Sequence, residues 1–229
     1  MRPLVIFGAS RGVGLELARL ERARQRRVIA LVRPHSSGEE LAKIGAVVLR
    51  GDALSKVDVV HALSRVTGQF DVASTLGGQT EDGRRADDEG NINVVDAAEA
   101  SGRVGRFLLV TSIGCGEMAP FRSPRAIAAF GAAVDAKTRA EDRLKASGLE
   151  WTILRPGGLK SEPATGQGLL SQDPEIHGFI HRADVALLAS RILRDAATIE
   201  QAFAAVDAQQ MSCANPVQPF PLSQLECPA

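Results

Sequence analysis

The chain has 229 residues, of which 45% are hydrophobic and 24% are charged, and this length suits one globular α/β domain. Its 27 Lys and Arg residues equal its 27 Asp and Glu residues, so no net charge attracts nucleic acid or an anionic membrane. Three cysteines without metal-ligand spacing argue against a disulfide framework. We therefore expect neither a nucleic-acid-binding nor a membrane protein. With no secretory signal expected, the cytoplasm is the predicted compartment.

Short apolar runs alternate with helical patterns along most of the chain, which is typical of βαβ units and a parallel sheet. The predicted strands are residues 4–7, 28–32, 46–49, 71–76, 107–110, 151–154 and 202–206. The predicted helices begin after Gly12 and then cover residues 39–44, 56–66, 87–100, 135–147 and 182–193. Right-handed crossovers place such helices on both faces of the sheet. The pattern predicts a single doubly wound, mostly parallel α/β domain of the Rossmann type.

Three segments depart from this alternation. Residues 157–175 are rich in Gly, Pro and polar side chains, and we expect a loop over the carboxyl edge of the sheet. Four prolines after residue 215 predict an irregular tail over 209–229, following a dinucleotide-binding domain over 1–208. The arginines clustered between residues 19 and 27 are expected on the solvated face of the first helix and the turn that follows it.

The first predicted strand runs directly into the turn Gly8-Ala9-Ser10-Arg11-Gly12-Val13-Gly14. Gly8 permits a tight turn, Gly12 allows the backbone to approach a pyrophosphate, and Gly14 allows the helix to pack closely against the strand. The helix amino terminus then presents free N–H groups and a positive dipole end to phosphates. A glycine turn is a weak signal alone, but between a first strand and a helix it predicts a dinucleotide site.

The end of the second strand indicates which dinucleotide is bound. NAD enzymes usually place a carboxylate there for the ribose 2′-hydroxyl, whereas this strand ends at Arg33 and the next acidic residue is Glu39. Arg33 and Arg11 could flank a 2′-phosphate, which the guanidinium fork suits. The sequence therefore favours NADP(H).

Several further motifs resemble one known family. They are Gly51-Asp52, Leu76-Gly77-Gly78 and Val110-Thr111-Ser112 at strand ends, Lys137 to Asp142, Ser147 to Gly157, and His181 to Ala186. With the glycine turn, these motifs resemble an atypical short-chain dehydrogenase/reductase of the compact NAD(P)H-binding group that includes biliverdin-IXβ/flavin reductase. The resemblance covers roughly residues 3–206.

The resemblance implies roles for residues at the carboxyl ends of the strands, where open α/β sheets bind ligands. The implied cofactor contacts, besides Gly8, Ser10, Arg11, Gly12, Val13, Gly14 and Arg33, are Asp52 and Ala53 at the adenine, Leu76, Gly77 and Gly78 along the cofactor, Lys137 at the nicotinamide ribose, and Pro156, Gly157 and Gly158 at the nicotinamide amide. The same resemblance implies that Ser112 and Lys137 occupy the family's catalytic positions. No metal site is predicted.

One position departs from the usual pattern of short-chain dehydrogenases. The tyrosine expected four residues before the lysine is replaced by Ala133, and the chain contains no tyrosine. An unaided Ser112 hydroxyl is a poor proton donor at neutral pH, so alcohol–ketone chemistry is disfavoured. We predict an NADPH-dependent reductase of an electron-poor small molecule, namely a flavin, bilin, quinone or enone. The alternative is a non-catalytic NADP(H)-binding sensor or assembly and regulatory protein.

Other side chains near the expected pocket have less specific signals. His177 and His181 could donate a proton, although His181 could equally serve only the helix that follows it. Cys115 is expected to be a small buried residue rather than a reactive thiol. The loops 157–175 and 114–125 are expected to shape the acceptor pocket.

Overall fold

The computed structural model describes residues 1–223, and its main sheet is built from eight strands. The strands of the chain are β1 (Leu4–Phe7), β2 (Val28–Val32), β3 (Val47–Arg50), β4 (Phe70–Ser74), β5 (Val104–Val110), β6 (Trp151–Pro156), β7 (Gly158–Lys160), β8 (Gly168–Ser171), β9 (His177–His181), β10 (Gln201–Asp207) and β11 (Met211–Ser212). The main sheet has the order β3-β2-β1-β4-β5-β6-β10-β8, and only its β10–β8 pair is antiparallel. This order confirms the predicted doubly wound Rossmann-type sheet.

Helices cover both faces of this sheet. They are α1 (Gly12–Ala23), α2 (Glu39–Lys43), α3 (Lys56–Ser64), α4 (Asn91–Ser101), α5 (Pro124–Lys145) and α6 (Arg182–Ile192). Successive strand residues point to opposite faces: Leu4 and Ile6 pack with α1 and α6, whereas Val5 and Phe7 pack with α3, α4 and α5. Both layers are buried, which explains the nearly continuous apolar sequence of the central strands.

Two expectations about the later part of the chain were wrong. Helix α5 begins at Pro124 rather than near residue 135, because Ser123 accepts a hydrogen bond from the Ala126 amide at 3.2 Å and proline suits the first helical position. The segment 157–175 is not wholly a loop, since it contains β7 and β8. β7 joins β9 and β11 in a second, three-stranded sheet.

The arginine cluster was also misplaced in one respect. Arg26 is only 2% exposed and donates to Glu21 at 3.0 Å and to Asp71. Glu21 is fully buried, and it also accepts from Arg194, at 3.1 Å, just after α6. A buried charge is tolerated only when it is paired in this way. These contacts form an ionic network at the amino ends of the strands, opposite the edge where a ligand would bind.

The predicted tail contains the two-residue strand β11, which pairs with β9. Phe220 returns to the domain, where its ring lies 4.6 Å from that of Phe203 and its amide donates to the Leu170 carbonyl. Residues 224–229 of the tail lie outside the described part of the chain. The boundary at residue 208 stays a prediction.

Candidate active site

The carboxyl ends of β1, β2, β4, β5 and β6 open into one elongated cavity of about 1030 Å³. Its walls include every one of the predicted cofactor and catalytic residues except Gly14, which lies beneath the turn. The sequence-predicted residues in the walls are Gly8, Ser10, Arg11, Gly12, Val13, Arg33, Asp52, Ala53, Leu76, Gly77, Gly78, Ser112, Lys137, Pro156, Gly157 and Gly158. The fold thus gathers residues from widely separated motifs into one site.

The glycine turn has the tight geometry that a dinucleotide requires. Gly8 has φ +87°, and a Cβ atom there would lie 2.7 Å from the Thr75 hydroxyl oxygen. A Cβ at Gly14 would lie 2.5 Å from the Gly8 carbonyl oxygen, so the helix approaches the strand as closely as glycine permits. Gly12 has φ +60° and begins α1. These residues fit a pyrophosphate held against the backbone at the start of the helix.

Thr75 is a site residue that the sequence reasoning missed. Its hydroxyl donates to the Gly8 carbonyl at 3.1 Å, from the end of the neighbouring strand β4. The turn is therefore braced by β4 as well as by β1. Thr75 directly precedes the Leu76-Gly77-Gly78 motif, and this position next to a predicted cofactor-binding motif is the one sequence feature that could have indicated it.

Basic groups surround the end of the cavity near β2. Arg11 and Arg33 are exposed and line this end, while Arg50 at the end of β3 donates to the Arg33 carbonyl at 3.2 Å. Asp52 accepts from the Leu54 amide at 2.9 Å through one carboxylate oxygen, which fixes the turn after β3. The described residues here thus combine two exposed guanidinium groups with a carboxylate held by a backbone amide.

Lys137 projects from α5 toward the middle of the cavity. Its amine lies 2.6 Å from a carboxylate oxygen of Asp87 and 3.4 Å from the Leu76 carbonyl. Asp87 is 2% exposed, and its other oxygen accepts from the Gly78 amide at 3.0 Å. A Cβ at Gly77 would lie 3.1 Å from both members of the ion pair. The ion pair therefore fixes both the position of the Lys137 amine and the backbone at Gly77 and Gly78, which line the cavity.

Asp87 was missed because no local pattern marks it. It lies in a π-helical turn, Ala86–Gly90, that precedes α4. The Asn91 side chain donates to the carbonyls of Ala86 and Asp87, at 3.1 and 2.9 Å, and accepts from Ser74 at 2.6 Å. A π turn that widens a helix to present a side chain is frequent at functional sites.

The loop after β5 rests on a second buried ion pair. Glu141 of α5 accepts from Arg155 of β6 at 2.6 Å and from Thr111 at 2.6 Å, and Arg155 also reaches Glu117, which lies 2.8 Å away. Arg155 holds the pKa of Glu117 down at about 2 through a hydrogen bond. Glu141 is thus committed to Arg155. Glu141 is therefore not the ion-pair partner of Lys137, although it lies four residues later on the same helix. Its hydrogen bond with Thr111 holds the loop that carries Ser112.

The remaining polar candidates differ in their access to the cavity. The Ser112 hydroxyl lines it and donates to the Ile113 carbonyl at 3.0 Å. His177 also lines the cavity, whereas His181 is 8% exposed with its Nδ1 2.7 Å from the Pro163 carbonyl oxygen. Cys115 is fully buried, and burial raises the pKa of its thiol to about 12. The structure therefore favours His177 over His181 as a group that can meet a ligand.

The end of the cavity beyond Ser112 has an apolar mouth. Three aromatic rings line this mouth although they are well exposed, namely Phe121, Phe130 and Phe179, together with Leu159. Two cations stand beside them. Arg122 lines the cavity and pairs with Asp135 at 2.7 Å, and the Lys160 amine lies 5.2 Å from the centre of the Phe179 ring. Exposed rings that converge on a cavity are typical of a ligand site.

Sheet order, glycine turn and cavity together define a Rossmann-type protein that binds a nicotinamide dinucleotide. The chain belongs to the NAD(P)H-binding family, which matches residues 8–196. ChuY, an anaerobilin reductase from Escherichia coli O157:H7, is 39% identical, with a TM-score of 0.82 over 90% of this chain and 97% of that chain. The YhfK protein of Bacillus subtilis, named as an uncharacterised sugar epimerase, is 28% identical over 86% of this chain and 91% of its own length.

A shorter match links the chain to an uncharacterised chloroplastic protein of Arabidopsis thaliana, with 37% identity over 48% of this chain and 40% of that protein. The chain thus spans less than half the length of this relative. The family membership and the fold confirm the resemblance to atypical short-chain dehydrogenases/reductases, and the protein is an NAD(P)H-dependent oxidoreductase. Within residues 1–223 no helix is long and apolar enough to cross a membrane.

Proposed function

We propose that the protein is an NADPH-dependent reductase of a planar, conjugated acceptor that carries carboxylates, such as a linear tetrapyrrole. The observation that carries this proposal is the cavity mouth, which is lined by three phenylalanine rings and Arg122, with Lys160 against one of these rings, that of Phe179. Rings suit a flat conjugated surface, and the cations suit carboxylate arms at its edge. The 39% sequence identity with an anaerobilin reductase, over 90% of this chain, supports the same acceptor class. Quinones and enones without acidic groups have less use for the two cations.

The absence of tyrosine from the chain agrees with such an acceptor. The bound cofactor supplies a hydride, and a conjugated acceptor delocalises the charge that arrives with it. The final proton can then come from water or from His177, so the reaction does not need a phenol. Ser112 and Lys137 orient the reactants, and the aromatic mouth excludes water from them.

We also propose NADPH as the physiological cofactor rather than NADH. Arg11 and Arg33 line the end of the cavity where the adenosine ribose would lie. The carboxylate that lines the cavity here, that of Asp52, accepts from the Leu54 amide, and the neighbouring Asp58 carboxylate accepts from the Asp52 amide. A 2′-phosphate would meet two cations there, whereas the chain offers no carboxylate at the end of β2 for a 2′-hydroxyl. The cytoplasm remains the compartment that we propose.

An acceptor panel tests the function. Purified protein is mixed with NADPH and, separately, with biliverdin, flavin mononucleotide, a quinone and an enone, and NADPH consumption is followed by absorbance. We expect turnover with biliverdin, and an Arg122→Met variant should raise the KM for biliverdin more than the KM for the quinone. An exposed control, Arg65→Met after α3, should change neither. Binding of NADPH without turnover on any acceptor would refute the reductase and favour the cofactor sensor.

A further inference from the structure

Arg182 is the first residue of α6, yet its side chain reaches across to the phosphate turn. A Cβ atom at Gly12 would lie 3.6 Å from Nε and 3.7 Å from Cδ of Arg182. The face of the turn that a pyrophosphate must approach therefore has this guanidinium beside it. Sequence spacing gives no sign of the contact, because 170 positions separate the two residues.

The same guanidinium is bonded to the acceptor wall. Its Nη1 donates to the Ser161 hydroxyl at 2.8 Å and to the Leu159 carbonyl at 3.3 Å. Leu159 lies in β7 and lines the main cavity, directly after the Gly157-Gly158 turn. Arg182 thus connects the phosphate end of the site with the strand that borders the nicotinamide and acceptor end.

A smaller cavity of about 680 Å³ lies on the other side of this guanidinium. It is lined by Arg11 and Arg182 but also by Glu16 and Glu162. Two carboxylates balance the two arginines there, so this cavity does not favour a second free anion. Gly12 and Arg182 line both cavities, but the main cavity has Asp52 as its one acidic lining residue among residues 1–223, so an anion at the glycine turn is favoured on the main-cavity side.

We propose that Arg182 binds the pyrophosphate of the cofactor through its guanidinium and, through Ser161 and Leu159, couples cofactor binding to the order of the acceptor wall. This inference rests on the cofactor site and goes beyond the proposed reductase activity by assigning a residue that couples the cofactor site to the acceptor wall. Arg182 already bonds to this wall through Ser161 and Leu159, and a phosphate bound to the same guanidinium would fix its position and so restrain the wall more strongly. Cofactor binding then strengthens acceptor binding, and by linkage the acceptor strengthens cofactor binding by the same factor.

The first test measures cofactor affinity by calorimetry on the full chain. Arg182→Met keeps the aliphatic stem but removes the charge, and it should weaken NADPH and NADH by the same factor, about tenfold or more, because both carry the pyrophosphate. Arg33→Ala, in contrast, should weaken only NADPH. Arg65→Met serves as the matched exposed control. Unchanged affinity of Arg182→Met for both dinucleotides would overturn the assignment.

The second test measures amide hydrogen exchange over residues 160–167, which follow the cofactor-lining residues Gly157 to Leu159, with and without saturating NADP⁺. In the wild type we expect NADP⁺ to slow exchange in this segment, and in Arg182→Met the slowing should disappear even at saturation. Equal protection in both proteins would overturn the coupling. Neither test uses turnover, so a failure of the proposed reductase activity would leave both results interpretable.

Discussion

Lys137 has two roles: it neutralises the buried Asp87 carboxylate, and it is expected to bind the cofactor ribose. Replacing Lys137 by methionine removes both, and a second substitution at Asp87 separates them. The Asp87 side chain is only 3% exposed and that of Lys137 only 15%, so removing the amine leaves a buried carboxylate without its main partner. Breaking a buried pair in this way costs about 3–5 kcal/mol of folding free energy. Because the Gly78 amide still donates at 3.0 Å and Arg85 lies 3.6 Å away, we expect a value near the lower end of that range.

The same substitution removes a charge-assisted hydrogen bond to the cofactor ribose, which we expect to weaken NADPH binding by about 1.5–3 kcal/mol. Urea denaturation measures the first effect, and calorimetric titration with NADPH measures the second. In the double variant Asp87→Asn/Lys137→Met the stability should largely return, because no buried charge remains, whereas the affinity for NADPH should stay low.

Recovery of NADPH affinity together with stability in the double variant would refute this reasoning, because the lysine would then act only by neutralising Asp87. In steady-state assays with whichever acceptor gives turnover, the KM for NADPH should rise and kcat should fall only modestly. A fall of several orders of magnitude in kcat at unchanged KM would reveal an acid–base role for Lys137. The Asp88→Asn variant, which neutralises the half-buried carboxylate partner of the exposed Arg139, is the matched control.

Three further predictions concern other parts of the molecule. Arg33→Ala should weaken NADPH about tenfold, or about 1.4 kcal/mol, and leave NADH unchanged in parallel titrations; equal losses would remove Arg33 from the 2′-phosphate site. Cys115, whose thiol pKa is about 12, should resist alkylation at pH 8 in the native protein while the less buried Cys213 reacts, and peptide mass spectrometry would show a contrary result directly. The pKa of Glu117 is lowered to about 2 by Arg155, so its contribution to stability is present at neutral pH and is lost as the pH falls from about 4.5 toward 2. Wild type and Glu117→Gln should therefore converge in acid melts, and a constant difference at all pH values would contradict the ion pair.

The central strands and the glycine turn were predictable because their signals are local. Apolar runs such as Leu4–Phe7 are buried on both faces, and a glycine turn that follows such a strand has few other uses. The beginning of α5 was missed because its first turns, around Phe130, are exposed and lack an apolar period. Strands β7 and β8 are too short, and too mixed in polarity, to stand out from a loop.

The missed site residues share a different cause. Asp87, Thr75 and Arg182 owe their positions to partners far away in the sequence, namely Lys137, Gly8 and Gly12. Such contacts form only when strands from distant segments become neighbours, so no spacing rule reveals them. The family resemblance allowed us to predict the residues that line the cavity. It did not allow us to predict the residues that hold them in position.

The ionic network at the amino ends of the strands has a consequence for how the chain acquires its structure during synthesis. Glu21 and Arg26 lie near the start of the chain, but Ser190 and Arg194, which complete the shell around Glu21, are made about 170 residues later. Until α6 has been made, the face of α1 that packs against it is uncovered, and Glu21 has Arg26 but lacks Ser190 and Arg194 as partners. Burial of this side of α1 is therefore complete only after α6 has been made. An amino-terminal fragment that stops before α6 would contain the whole phosphate turn but would leave one side of the helix that carries it uncovered.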